Sequence, residues 1–145
     1  MQGAGLTNAM ATAVAASSSA EPDAVALFTE LPGVPASVRA ARLFVADALG
    51  NCPRADDLVL AASELSSNAV LWSASSGAVC RYIVRVRRMR RWVRIDVIDV
   101  GRPAIPPVGQ GNGHGLLWVE AVTDRSGYTL DDRGRRTSWC ECTWP

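Results

Sequence analysis

Between residues 54 and 72, apolar side chains return at helical spacing. Leu58, Ala61, Ala62, Leu65, Ala69 and Trp72 fall on one stripe, and no glycine or proline interrupts them. The pattern predicts one long helix. Within it Glu64 and Asn68 stand four residues apart, neighbours on one face with Cβ atoms ~5–6 Å apart. A turn of ~100° per residue places Asn68 inside the apolar stripe and Glu64 at its edge. A carboxylate and an amide aimed at a core cost free energy unless something pairs with them. A ligand is one such partner. The plainer alternative is that Glu64 reaches water and Asn68 bonds a neighbouring carbonyl.

Upstream, residues 24–31 read as a strand that Pro32 and Gly33 end. Ser37 is placed to cap a helix over 38–49, with Ala41, Phe44, Val45 and Ala48 turned inward. Gly50 and Pro53 break it. After the long helix comes a small polar loop, 73–77, and then a hairpin. Strands 79–86 and 92–99 flank Arg87, Arg88, Met89, Arg90 and Arg91. In the second strand Val93, Ile95, Val97 and Asp99 share one face, while Trp92, Arg94, Asp96 and Ile98 share the other. The first set is the core face, so Asp99 ends a buried row, an unusual place for a carboxylate. The ordinary alternative is a strand that stops one residue earlier, with Asp99 opening a turn.

Beyond Gly101, residues 102–107 are too rich in proline for a helix. Gly109, Gly111, Gly113 and Gly115 follow at every second residue, directly before a helical pattern over 116–122. A glycine-rich loop running into a helix start lets backbone N–H groups approach an anion, aided by the helix dipole. Residues 126–130 and 137–143 add two strands about a turn at 131–134. Strand, two helices, hairpin, helix and two strands predict an α+β protein. Its architecture is a two-layer sandwich, with helices on one face of a mixed, mostly antiparallel sheet.

Composition narrows the chemistry. A chain of 145 residues, 48% hydrophobic, suits one domain over 24–145. The Ala/Ser-rich residues 1–23 read as a flexible tail, without the basic and apolar regions of a signal peptide. No apolar run reaches the ~18 residues of a membrane span, so the expectation is a cytoplasmic protein with no membrane partner. All 15 basic residues are arginine. That excludes a Walker A lysine, a protein-kinase strand lysine and a Schiff-base lysine. Phosphate chemistry must therefore rest on backbone amides, arginines and a metal. Cys52, Cys80, Cys140 and Cys142 form no C-x-x-C and have one histidine to share, which favours reduced thiols in a core over a zinc site. The hairpin arginines (Arg85, Arg87, Arg88, Arg90, Arg91, Arg94) raise nucleic-acid binding, but a net charge of +1 argues against it.

Three segments carry a family likeness: E-L-S-S-N-A (64–69), D-V-G (99–101) and G-H-G-L-L-W-V (113–119). In order they resemble the N, G1 and G2 boxes of the GHKL (Bergerat-fold) ATPase superfamily. That group includes gyrase B, the ninety-kilodalton heat-shock chaperones and the histidine kinases. The short lid, the small size and the closing S-G-Y…T-S-W-C-E look most like the anti-sigma-factor serine/threonine kinases of actinobacteria and their relatives. The likeness spans residues 25–144. It implies a histidine kinase/heat-shock-chaperone-like ATPase domain that binds ATP and Mg²⁺. Asn68 would be the Mg²⁺ ligand and Glu64 the general base or orienter of the attacking hydroxyl. Asp99 would accept from the adenine amino group, and Gly101 would make room for the base. Gly113 and Gly115 would give amides to phosphate, with His114 and Leu116 beside the nucleotide in the same box.

The partners so implied are a sigma factor, a small antagonist protein phosphorylated on serine or threonine, or both. The alternative is a nucleotide-gated partner-binding module without significant phosphotransfer. This chain departs from the pattern at Leu71 and Trp72, where such domains often carry a basic residue or histidine. Its lid between Gly101 and Gly113 has neither acidic residues nor lysine, which implies slow turnover. The identity of the protein partner, and whether the chain pairs with a second copy, stay open.

Overall fold

The computed structural model describes residues 12–15, 24–75, 80–100 and 113–145. The elements run β1 (Thr12–Ala15), β2 (Val25–Pro32), α1 (Ser37–Leu49), α2 (Ala55–Ser75), β3 (Arg81–Met89), β4 (Trp92–Val100), α3 (Gly113–Val122), β5 (Arg125–Leu130) and β6 (Arg136–Thr143). The strands form one sheet in the order β1-β2-β3-β4-β6-β5, and every pairing is antiparallel. The class is α+β, as expected, with the sheet antiparallel throughout rather than mixed. β1 lies inside the stretch that the sequence assigns to a tail, and adds an edge strand beside β2.

Period-two alternation explains where the core sits. Tyr82, Val84 and Val86 of β3, Val93, Ile95 and Val97 of β4, and Cys140 and Cys142 of β6 are all buried. Against them lie Ala41, Val45 and Leu49 of α1 and Leu58, Ala61, Ala62, Leu65 and Ala69 of α2. The predicted stripe on α2 is thus the core face, with Trp72 half-buried at its end. All four cysteines are free, and Cys52, Cys140 and Cys142 are buried. Burial pushes the thiols of Cys140 and Cys142 up, so they stay protonated. Among the described residues no helix is long and apolar enough to cross a membrane.

Three local expectations are corrected. Ser37 is not the cap of α1: it begins the helix after Ala36, which makes no side-chain cap bond. The buried Ser37 hydroxyl donates to the Val34 carbonyl oxygen at 2.8 Å, which leaves it to accept from the Tyr82 hydroxyl at 2.7 Å. The polar loop expected at 73–77 is helical through Ser75. The hairpin connection is shorter than expected, because Arg87 and Arg88 continue β3 and pair with Arg94 and Val93. Only Arg90 and Arg91 make the turn.

On its outer face the hairpin gathers its charges around Asp96. This carboxylate lies on the face away from the helices yet is fully buried. Its Oδ2 accepts from Arg85 Nε at 3.2 Å and Arg87 Nη2 at 3.1 Å, and its Oδ1 accepts from Arg94 Nε at 3.0 Å. Like charges directly opposite, as Arg87 and Arg94 are, repel. Asp96 supplies the counter-charge between them. Arg94 also reaches Glu141 Oε2 at 3.0 Å and lies 4.3 Å over the Trp139 ring.

Gly33 fastens β2 to the end of α2. Its N–H donates to the Cys80 carbonyl oxygen at 2.7 Å, and the Cys80 N–H donates to Ser73 Oγ at 2.9 Å. A Cβ at position 33 would stand 2.5 Å from Ser73 Oγ and 2.8 Å from Cys80 O. Gly33→Ala is therefore expected to lower stability by ~1–3 kcal/mol. Urea unfolding checks it, and an unchanged midpoint would refute the tight fit.

Candidate functional site

One recess gathers residues from three elements: Leu65, Asn68, Ala69 and Trp72 of α2, Val97 and Asp99 of β4, and Arg136 and Ser138 of β6. Asn68 and Asp99, 31 positions apart in the sequence, thus face the same space. Asn68 is 7% exposed, in line with its place inside the apolar stripe. Glu64 sits one turn earlier on α2, half-buried at the edge of that stripe, and is not part of the recess wall.

Asp99 continues the strand rather than opening a turn, since β4 runs on to Val100 and Asp99 pairs with Tyr82 of β3. Burial pushes its carboxyl up to about 6, and the charge of Arg136 pulls only partly the other way. A half-buried carboxylate with no ion pair or hydrogen bond among the described residues is a group poised to accept one from a ligand.

Arg136 is the residue that sequence reasoning missed. It is 6% exposed. Its guanidinium lies 3.8 Å over the Trp72 ring and 5.0 Å from that of Tyr128, and its Nε donates to Ser138 Oγ at 3.2 Å. Desolvation lowers its pKa, with Asp99 raising it. The signal was present: the alternation that turns Cys140 and Cys142 inward turns Ser138 and Arg136 inward by the same parity.

The helix α3 begins at Gly113, so Gly113, His114 and Gly115 form its first turn instead of the loop before it. The first four N–H groups of a helix have no partner within it. Leu116 is 39% exposed and borders a second cavity, of about 220 Å³, beside Glu120, Tyr128 and Arg136. Gly101, the lid 102–112 and the side chain of His114 lie outside the described residues.

The donor chemistry suits a hard cation. Among the described residues no cluster of three or more His, Cys, Asp or Glu could cage a metal. Asn68 offers an amide oxygen, with the Glu64 carboxylate one turn away. Mg²⁺ takes few protein ligands and completes its shell with water and phosphate, so this set fits it better than a metal needing a protein cage. The hairpin arginines are largely committed within the fold: Arg85, Arg87 and Arg94 to Asp96, and Arg88 to the Leu49 carbonyl oxygen at 2.9 Å. Neither a protein-family model nor a curated protein matches the chain.

Proposed function

We propose that this protein is an ATP- and Mg²⁺-binding regulator with a Bergerat-type site, acting in the cytoplasm as an anti-sigma-type serine/threonine kinase. The observation that carries the reading is the convergence of Asn68 and Asp99 on one recess, from the first two of three segments that occur in the expected order. In this reading Asp99 accepts from the amino group of adenine. The N–H groups of the first turn of α3 hold phosphate oxygens. Asn68 would hold Mg²⁺, which when bound neutralises phosphate charge. Glu64 takes the proton of an attacking serine hydroxyl, or orients it. Phosphoryl transfer depends mainly on positioning and charge neutralisation, so the absence of lysine is no obstacle. The implied partners are a sigma factor and a small antagonist protein that bears the serine.

One observation favours a second reading, a nucleotide-gated partner-binding module without transfer: Glu64 stands outside the recess wall. Both readings require nucleotide. Calorimetric titration of the full chain with ATP, with and without Mg²⁺, is expected to show binding that Mg²⁺ strengthens. No heat in either condition would overturn both readings.

A further inference from the structure

We propose that Arg136 closes the candidate base recess in the free protein, lying on the face of Trp72 that a planar ligand needs, and that a nucleotide base enters by displacing it. The inference rests on the recess being the base site, and it adds a residue that governs entry.

The register shows what is unusual here. Val97 pairs with Ser138 and Ile98 with Thr137, so Asp99 and Arg136 are the next positions along β4 and β6, and both belong to the core side. Opposite charges at such cross-strand positions ordinarily pair. Here no ion pair forms between them among the described residues. The guanidinium instead lies 3.8 Å over Trp72, with its Nε turned to Ser138 Oγ. Burying a guanidinium without an ion pair is costly, so the cation–π contact with the indole and the bond to Ser138 hold it over Trp72 by a narrow margin. The arrangement is therefore one that a better occupant of the Trp72 face can replace.

Space points the same way. The recess between Asn68, Trp72 and Asp99 has no room even for a water molecule. Arg136 lines both this recess and the cavity of about 220 Å³ next to it. It is a partition between the two. Swinging its side chain off Trp72 into the larger cavity opens the recess without moving a strand or a helix. The freed indole face then suits a purine, and Asp99 is left to accept from it.

The test compares Mg²⁺–ATP binding to wild type, Arg136→Ser and Arg136→Lys by calorimetry and stopped-flow. Arg136→Ser is expected to bind roughly tenfold to thirtyfold more tightly, the factor to which a desolvated cation–π contact corresponds, with faster association. Arg136→Lys, which keeps the cation, is expected to stay near wild type. If circular dichroism shows that Arg136→Ser does not fold, Arg136→Ala likewise removes the side chain from the Trp72 face and carries the same expectation. Equal or weaker binding by the folded variant overturns the gate alone, and weaker binding makes Arg136 a direct contact to the nucleotide. Failure of every protein to bind overturns the nucleotide reading itself, and the gate with it.

Discussion

Glu64→Gln is expected to bind ATP about as tightly as wild type while transferring phosphate ~10²–10⁴-fold more slowly, the range of a lost general base. The substitution keeps the shape of the side chain and removes its charge. A group that acts on the attacking hydroxyl contributes to the transition state and little to the bound ground state. Asn68→Ala behaves differently: it removes the amide oxygen proposed to hold Mg²⁺, so the Mg²⁺-dependent part of ATP affinity goes, and transfer with it. The contrast between the two variants is the diagnostic. Asn68 is buried and Glu64 half-buried, so if both merely satisfied the fold, each variant would lose stability and neither would show a selective defect. Transfer of labelled phosphate to a serine-bearing antagonist protein, read beside calorimetric affinity, separates these outcomes. A Glu64→Gln protein working at full rate would leave only the binding-module reading.

Asp99→Ala is expected to weaken ATP binding roughly tenfold to a hundredfold. A hydrogen bond to a charged group is worth ~1.5–3 kcal/mol. GTP presents a carbonyl where adenine has its amino group, and should bind poorly to the wild type. The same carboxylate imposes a pH dependence. Its pKa in the fold is raised to about 6, so in the free protein its contribution to stability is present in full below its ordinary value of 3.8 and is lost as pH rises through about 6. Binding runs the opposite way. The ionised form is the better acceptor, so ATP affinity should fall as pH is lowered through about 6. Asp99→Asn should flatten that part of the profile and leave the part due to the phosphates. Calorimetry of both proteins across this range checks the sign, and equal affinity for ATP and GTP would remove Asp99 from the role.

What could be read in the sequence was whatever depends on near neighbours. The stripe on α2 and the alternation in β4 are local periodicities, and they located the core, the inward place of Asn68 and the buried row ending at Asp99. What escaped depends on residues far apart in the chain. Ser37 looked like a cap because its partner, Tyr82, is 45 positions away. Arg87 and Arg88 looked like the start of a loop because nothing beside them announces their partners, Asp96 for one and the Leu49 carbonyl oxygen for the other. Arg136 fell between the turn at 131–134 and the strand read from 137, and its inward parity went unused because a lone arginine is ordinarily assigned to solvent. Its stacking partner, Trp72, lies on a different element. β1 went unread because four small residues carry little pattern of their own.

The arrangement around Asp96 bears on how this chain can drift under mutation. Three guanidiniums share one buried counter-ion. Exchange of Arg85, Arg87 or Arg94 for a neutral residue leaves the aspartate two partners, and each of these arginines is partly exposed to solvent that can take up the slack. Exchange of Asp96 takes the counter-ion from all three at once, leaving Arg94 with Glu141 and Arg85 and Arg87 with no carboxylate among the described residues. Lineages descending from such a sequence can wander at the arginines one at a time, and the first step away from them is open only while the single aspartate stays put.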